Sequence, residues 1–201
     1  MKVRRGLAGV AAIAIGASTL AFAAPASAAP TELWVVNAYS YDAGSPFDFT
    51  VCLDGASLTN LETADMTGPF AVESGTHDLK LFQDPEADCS DEEPAFDEAV
   101  TVPEGPTASL MIYWPAESSD PAVSIFADDL ECTPAGESRL MIRNGALAVG
   151  DEFDVVPLEV TGTDPSGAPV VLTAGVDTGD EVVTDVPAGL YTDVEAGPTY
   201  T

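Results

Sequence analysis

Apolar and polar residues alternate at spacing two along most of this chain, in short runs cut by Gly, Pro, Asp and Asn. Phe47, Phe49, Val51 and Leu53 interleave with Asp48, Thr50, Cys52 and Asp54, and Leu79 and Leu81 continue the pattern. A period of two sends alternate side chains to opposite faces of a pleated strand, so one set can enter a core while the other faces out. The pattern predicts strands over residues 32–38, 47–53, 67–72, 76–82, 95–102, 108–114, 123–127, 138–144, 153–160, 182–186 and 189–195. Helical signals are nearly absent from these regions. The fold expected is all-β, an immunoglobulin-like antiparallel β-sandwich.

The same pattern occurs twice. Leu33-Trp34-Val35-Val36-Asn37-Ala38 is echoed by Leu140-Met141-Ile142-Arg143-Asn144-Gly145, Phe47-Asp48-Phe49 by Phe153-Asp154-Val155, and Val72-Glu73-Ser74-Gly75-Thr76 by Val186-Pro187-Ala188-Gly189-Leu190. Two copies of one unit are therefore expected, a first over residues 29–132 and a second over 138–201, joined by a Pro/Gly linker near Thr133-Pro134-Ala135-Gly136. The first copy carries about four more strands after its Gly75 turn, so the second reads as an incomplete repeat.

Residues 1–28 stand apart from this pattern. Lys2, Arg4 and Arg5 precede an uncharged Ala-rich run, and Ala26-Ser27-Ala28 forms a small-x-small cleavage site, the layout of a secretory signal peptide. The expected location is extracellular or at the cell envelope, with no transmembrane segment once the leader is cut. Beyond residue 28 only Lys80, Arg139 and Arg143 are basic, against 34 Asp and Glu in the whole chain. Such a surface repels phosphate backbones and anionic lipid, which excludes nucleic acid as a partner. With 46% hydrophobic residues the chain can still build a core, so the acidity reads as a solvated skin.

Candidate chemistry is sparse. Cys52, Cys89 and Cys132 allow three single-disulfide pairings in an oxidising compartment. Cys89 with Cys132 is preferred, since both lie in turn-rich polar segments while Cys52 lies within a strand. Asp84, Glu86, Asp88 and Asp91 place hard oxygen ligands at alternating positions of one loop, the donor type Ca²⁺ requires, although the Gly and terminal Glu of a calcium loop are missing. A solvated acidic loop is the plainer reading of that segment, and no other cofactor is indicated. His77, the single histidine, falls in phase with Leu79 and Leu81 and reads as a rim histidine held by a hydrogen bond rather than a general base. Trp34, Trp114, Tyr39 and Tyr41 could stack on a glycan. The two tryptophans read as core or rim residues, which leaves Tyr39 and Tyr41 as the exposed pair.

In order along the chain, Trp34-Val35-Val36-Asn37-Ala38, the strand Phe47 to Leu53 ending in Asp54-Gly55, the Ser74-Gly75-Thr76 and Pro187-Ala188-Gly189 turns, Val102-Pro103-Glu104-Gly105 and Phe126-Ala127-Asp128-Asp129 resemble the domain-of-unknown-function 4397 family of secreted bacterial proteins. The family's usual His in the first strand is Asn37 here, and Asn144 in the second copy. The resemblance implies a secreted β-sandwich and assigns no activity or cofactor. The function expected is a non-catalytic binding or structural module that meets a protein or glycan at the cell surface. A secreted carboxylate-dependent hydrolase and a calcium-binding envelope protein are the alternatives.

Overall fold

A computed structural model describes residues 29–39, 47–84, 86–91, 93–115, 118, 120–145 and 157–198. The leader at residues 1–28, Tyr41, and the Phe153-Asp154-Val155 echo lie outside the described residues. Thirteen strands and no helix occur among the described residues, and no helix there is long and apolar enough to cross a membrane. The fold is an all-β, sandwich-like arrangement of several sheets.

The first set of strands is β1 (Thr31–Asn37), β2 (Phe49–Leu53), β3 (Ala56–Leu61), β4 (Met66–Val72), β5 (Gly75–Phe82), β6 (Phe96–Val102), β7 (Thr107–Tyr113) and β8 (Ala122–Ala127). One sheet runs β4-β1-β7-β8 and the other β3-β2-β5-β6. All pairs are antiparallel except β1 with β7, which run parallel with Leu33 opposite Ala108 and Val35 opposite Leu110. That parallel pair departs from the wholly antiparallel expectation. It places two adjacent core strands side by side, and Leu33, Val35, Leu110 and Ile112 from this sheet meet Phe49, Val51, Leu79 and Leu81 from the other, each with no exposed surface. Burying one such side chain contributes roughly 1.5–3 kcal/mol, so this layer is the main source of stability.

The second set is β9 (Glu137–Arg143), β10 (Leu158–Thr163), β11 (Pro169–Val176), β12 (Glu181–Pro187) and β13 (Thr192–Pro198), arranged as β12-β9 and β11-β10-β13. These orders repeat β4-β1 and β3-β2-β5. The match extends to single hydrogen bonds. Asn37 N–H donates to Asp65 O (2.9 Å), Asn37 O accepts from Ala64 N–H (2.8 Å), and Asn37 Nδ2 donates to Leu61 O (3.3 Å). In the second set Asn144 N–H donates to Asp180 O (3.1 Å), Asn144 O accepts from Gly179 N–H (2.7 Å), and Asn144 Nδ2 donates to Val176 O (2.9 Å). Both asparagines are buried, and each ties the end of its strand to the turn before the paired strand. A short amide with one acceptor and two donors suits this place, where main-chain groups at a strand end would otherwise lack partners.

The β1–β4 and β9–β12 pairs differ by one residue. Between Leu33 and Val35 the register of β1 on β4 shifts, whereas β9 on β12 runs without interruption from Glu137 to Arg143. The extra residue of β4 falls around Gly68-Pro69, and Pro is tolerated there because β4 is an edge strand.

Two strands, β3 and β11, were not among those expected. Each is the second arm of a hairpin on a sheet edge, and neither shows clean alternation: β3 is polar over Ser57, Thr59 and Asn60, and β11 begins with Pro169 and contains Gly175. The β2–β3 turn is Asp54-Gly55, both at positive φ (51° and 76°), the backbone of a tight two-residue hairpin.

The disulfide corrects the sequence reading. Cys52 pairs with Cys89, at a Cα–Cα distance of 5.7 Å, and Cys132 is free and exposed in the linker. Cys52 does point away from the core, as alternation requires. The segment after β5 folds back across that outer face, with Thr50 Oγ1 donating to Asp84 O (2.8 Å), so Thr50 and Cys52 are both buried beneath it.

Alkylation of the folded, unreduced protein with iodoacetamide should add one adduct, at Cys132, by intact-mass and peptide mapping. Asn37→Ala should lower unfolding stability by about 2 kcal/mol in urea titration, because it leaves the buried Tyr39 N–H without its acceptor and takes one donor each from the Leu61 and Phe47 carbonyls, the latter keeping the Thr63 hydroxyl.

Candidate functional site

Three places answer to the residues singled out by sequence. The first is the acidic loop, where the carboxylates are spent on their own backbone. Asp84 Oδ1 accepts from Glu86 N–H (2.8 Å), Asp88 Oδ1 from Ser90 N–H (3.1 Å), and Asp91 Oδ2 from Asp88 N–H (2.8 Å). The first two are Asx-type turns, the third reaches back three residues, and together they shape the loop over β2. Glu86 is exposed, and no group of three or more His, Cys, Asp or Glu among the described residues is placed to hold a metal ion. The structure does not bring Asp84, Glu86, Asp88 and Asp91 together as a ligand set.

The second is His77, near the β4–β5 turn. Its Nδ1 lies 2.7 Å from Asp54 Oδ2 and its Nε2 2.7 Å from Glu73 O. A carbonyl and a carboxylate both call for a donor, so the doubly protonated ring satisfies both contacts. The hydrogen bond to Asp54 raises the His77 pKa above its usual 6.5, against a smaller opposing effect of burial. The same bond, with the Asp78 N–H, lowers that of Asp54. His77 thus links the β2–β3 turn to the β4–β5 turn, and both ring nitrogens are occupied.

Aromatic residues form the third place, and here the expected exposure is corrected. Tyr39 is 1% exposed, stacked on Trp114 with centroids 5.2 Å apart and edge-on to Phe47 and Phe49. It closes one end of the core and offers no face to a glycan. Trp114 Nε1 donates to Ser118 O (2.6 Å).

What sequence reasoning missed lies in the second set of strands and at its seam with the first. The two arginines of β9 project from its outer face. Arg143 bonds Glu181 on β12 (2.6 Å) and Asp128 just after β8 (2.6 Å), with its guanidinium 4.8 Å from the centroid of Phe126 on β8. Arg139 pairs likewise with Asp185 (2.9 Å) and Asp129 (2.6 Å). Ser124 Oγ donates to Gly179 O (2.9 Å), and a methyl at Gly179 would overlap the Tyr113 hydroxyl. Met111, on the outer face of β7, is only 3% exposed, and a Cβ at Gly145 would lie 3.0 Å from its sulfur.

On the other face of β9, Leu140 and Ile142 remain half-buried, although Leu33 and Val35 at the equivalent places of β1 are fully buried. In the first set β1 lies between β4 and β7. Among the described residues β9 has only β12 beside it, so its second edge has no strand. Between the β12-β9 ribbon and the β11-β10-β13 sheet lies a cleft of about 270 Å³, lined mainly by apolar side chains including Leu140, Ile142, Val160, Leu172, Val186 and Val194. A larger groove of about 690 Å³ runs between the edges of β6 and β8, with more polar walls including Asp97, Glu98 and Asp120. The apolar cleft is the stronger candidate binding site, because it lies beside a strand edge that has no neighbouring strand among the described residues.

The His77–Asp54 pair makes a signed prediction about pH. The raised His77 pKa gives stability that is complete below about 6.5 and is lost as pH rises through the folded-state value. The lowered Asp54 pKa gives stability that is complete above about 3.8 and is lost as pH falls through its folded-state value. The difference in urea midpoint between the wild type and His77→Gln should therefore be larger at pH 5 than at pH 9. Asp54→Asn should remove that pH dependence.

Comparison with known proteins finds no family model that matches the chain and no curated relative similar to it in sequence.

Proposed function

We propose that this protein is a secreted, non-catalytic module with an immunoglobulin-like sandwich, acting by binding at the outside of the cell or in its envelope. The observation that carries the proposal is the apolar cleft of the second strand set, flanked by the open edge of β9. A folded chain that leaves Leu140 and Ile142 half-exposed keeps a surface suited to a partner. The order of motifs that resembles the domain-of-unknown-function 4397 family and the leader-like first 28 residues support an extracellular setting. His77 supports the non-catalytic reading, since both its ring nitrogens serve the joining of two turns.

Expression with its leader should yield protein in the culture supernatant whose N-terminal sequence begins near Ala29. A panel of chromogenic esters, peptides and glycosides should show no turnover. Turnover abolished by a single Asp or Glu substitution would overturn the reading in favour of a hydrolase.

A further inference from the structure

The first strand set supplies a template for what the second lacks. There, β7 lies parallel to β1 and sends Ala108, Leu110 and Ile112 inward, opposite Leu33, Val35 and Asn37. The matching Asn37 and Asn144 bonds align β9 with β1, so Leu140, Ile142 and Asn144 stand where Leu33, Val35 and Asn37 do. The outer face of β9 is already seated on the first set through Arg139 and Arg143, and among the described residues its second edge, beside the cleft, has no neighbouring strand.

We propose that the open edge of β9 takes up an extended segment of a basic partner protein, added parallel to β9 in the register that β7 adopts on β1. The segment places a small apolar residue opposite Leu140 and larger ones opposite Ile142 and Asn144, with the residues between them facing out. Main-chain hydrogen bonds to the edge give affinity, and the alternate side chains entering the cleft give selectivity, the mode known as strand addition. The sign of the partner's charge follows from the chain itself. Its 34 acidic residues face only 6 basic ones, and among the described residues Lys80, Arg139 and Arg143 are already in ion pairs with carboxylates. A segment flanked by Lys or Arg is attracted to this surface, whereas a second copy of the chain brings the same negative field and is repelled.

This inference deepens the binding reading and rests on it. It is tested on the full chain with a synthetic peptide carrying the β7 sequence Thr107 to Tyr113 between pairs of lysines. Titration calorimetry should show saturable one-to-one binding, and hydrogen exchange should show new protection of amides in residues 137–143. Leu140→Asp and Ile142→Asp should each weaken binding at least about tenfold, as should replacing the lysine flanks by glutamate, whereas Val183→Asp should leave it unchanged. A peptide with its apolar residues shifted by one position should not bind. Lack of binding, or binding that ignores Leu140 and Ile142, would overturn the proposal. So would protection, before any peptide is added, of those β9 amides that do not face β12, since a dimer by light scattering would show that a second copy holds the edge, and a monomer that the chain covers it itself. Peptide failure without turnover in the substrate panel would remove strand addition alone. Turnover would remove the binding reading beneath it.

Discussion

The parallel seat of β7 against β1 is the constraint on which this molecule depends. A strand in the middle of a sheet must satisfy main-chain groups on both edges and bury one face. For β1 that is possible only because β7, far away in sequence, arrives with three inward apolar residues. Closure follows from it: Leu33 and Val35 lose all contact with water, β8 extends the sheet, and β6 completes the facing one. The second strand set reproduces the frame, with the same strand order and the same asparagine, and buries Val160 and Val176, but leaves Leu140 and Ile142 half-buried. Among the described residues the frame thus occurs once with strands equivalent to β6, β7 and β8 and once without them.

Much of this was legible from residue order. Alternation located eleven of the strand regions, though residues 153–156 of one fall outside those described, and the recurrence of Asn37 as Asn144 marked the ends of two equivalent strands. What alternation could not show was any strand whose outward and inward faces are alike. Edge strands β3 and β11 are of that kind, since each has a neighbour on one side only, polar residues fill β3, and Pro169 and Gly175 interrupt β11. A clue to β3 was nonetheless present in Asp54-Gly55, which turns a chain back on itself and requires a return strand.

The disulfide and the aromatic cluster were misread for a related reason. Sequence pattern reports the face on which a residue lies, not what later covers that face. Cys52 was placed correctly on the outer side of β2, but the loop that folds over it carries Cys89 from 37 positions away. Tyr39 follows the last residue of β1 in a polar stretch and has the look of a loop tyrosine, yet Phe47, Phe49 and Trp114 enclose it. The acidic loop shows the converse. Its carboxylates are numerous, but they cap nearby amides and do not converge.

At the seam between the two strand sets, side chains supply charge pairing while main chain sets the spacing. Gly145 and Gly179 bring bare backbone against the side chains of Met111 and Tyr113, where an added Cβ would crowd them. The closeness of the two strand sets therefore rests on two positions that have no side chain at all, and a larger residue at either would widen the gap that the arginine pairs must bridge.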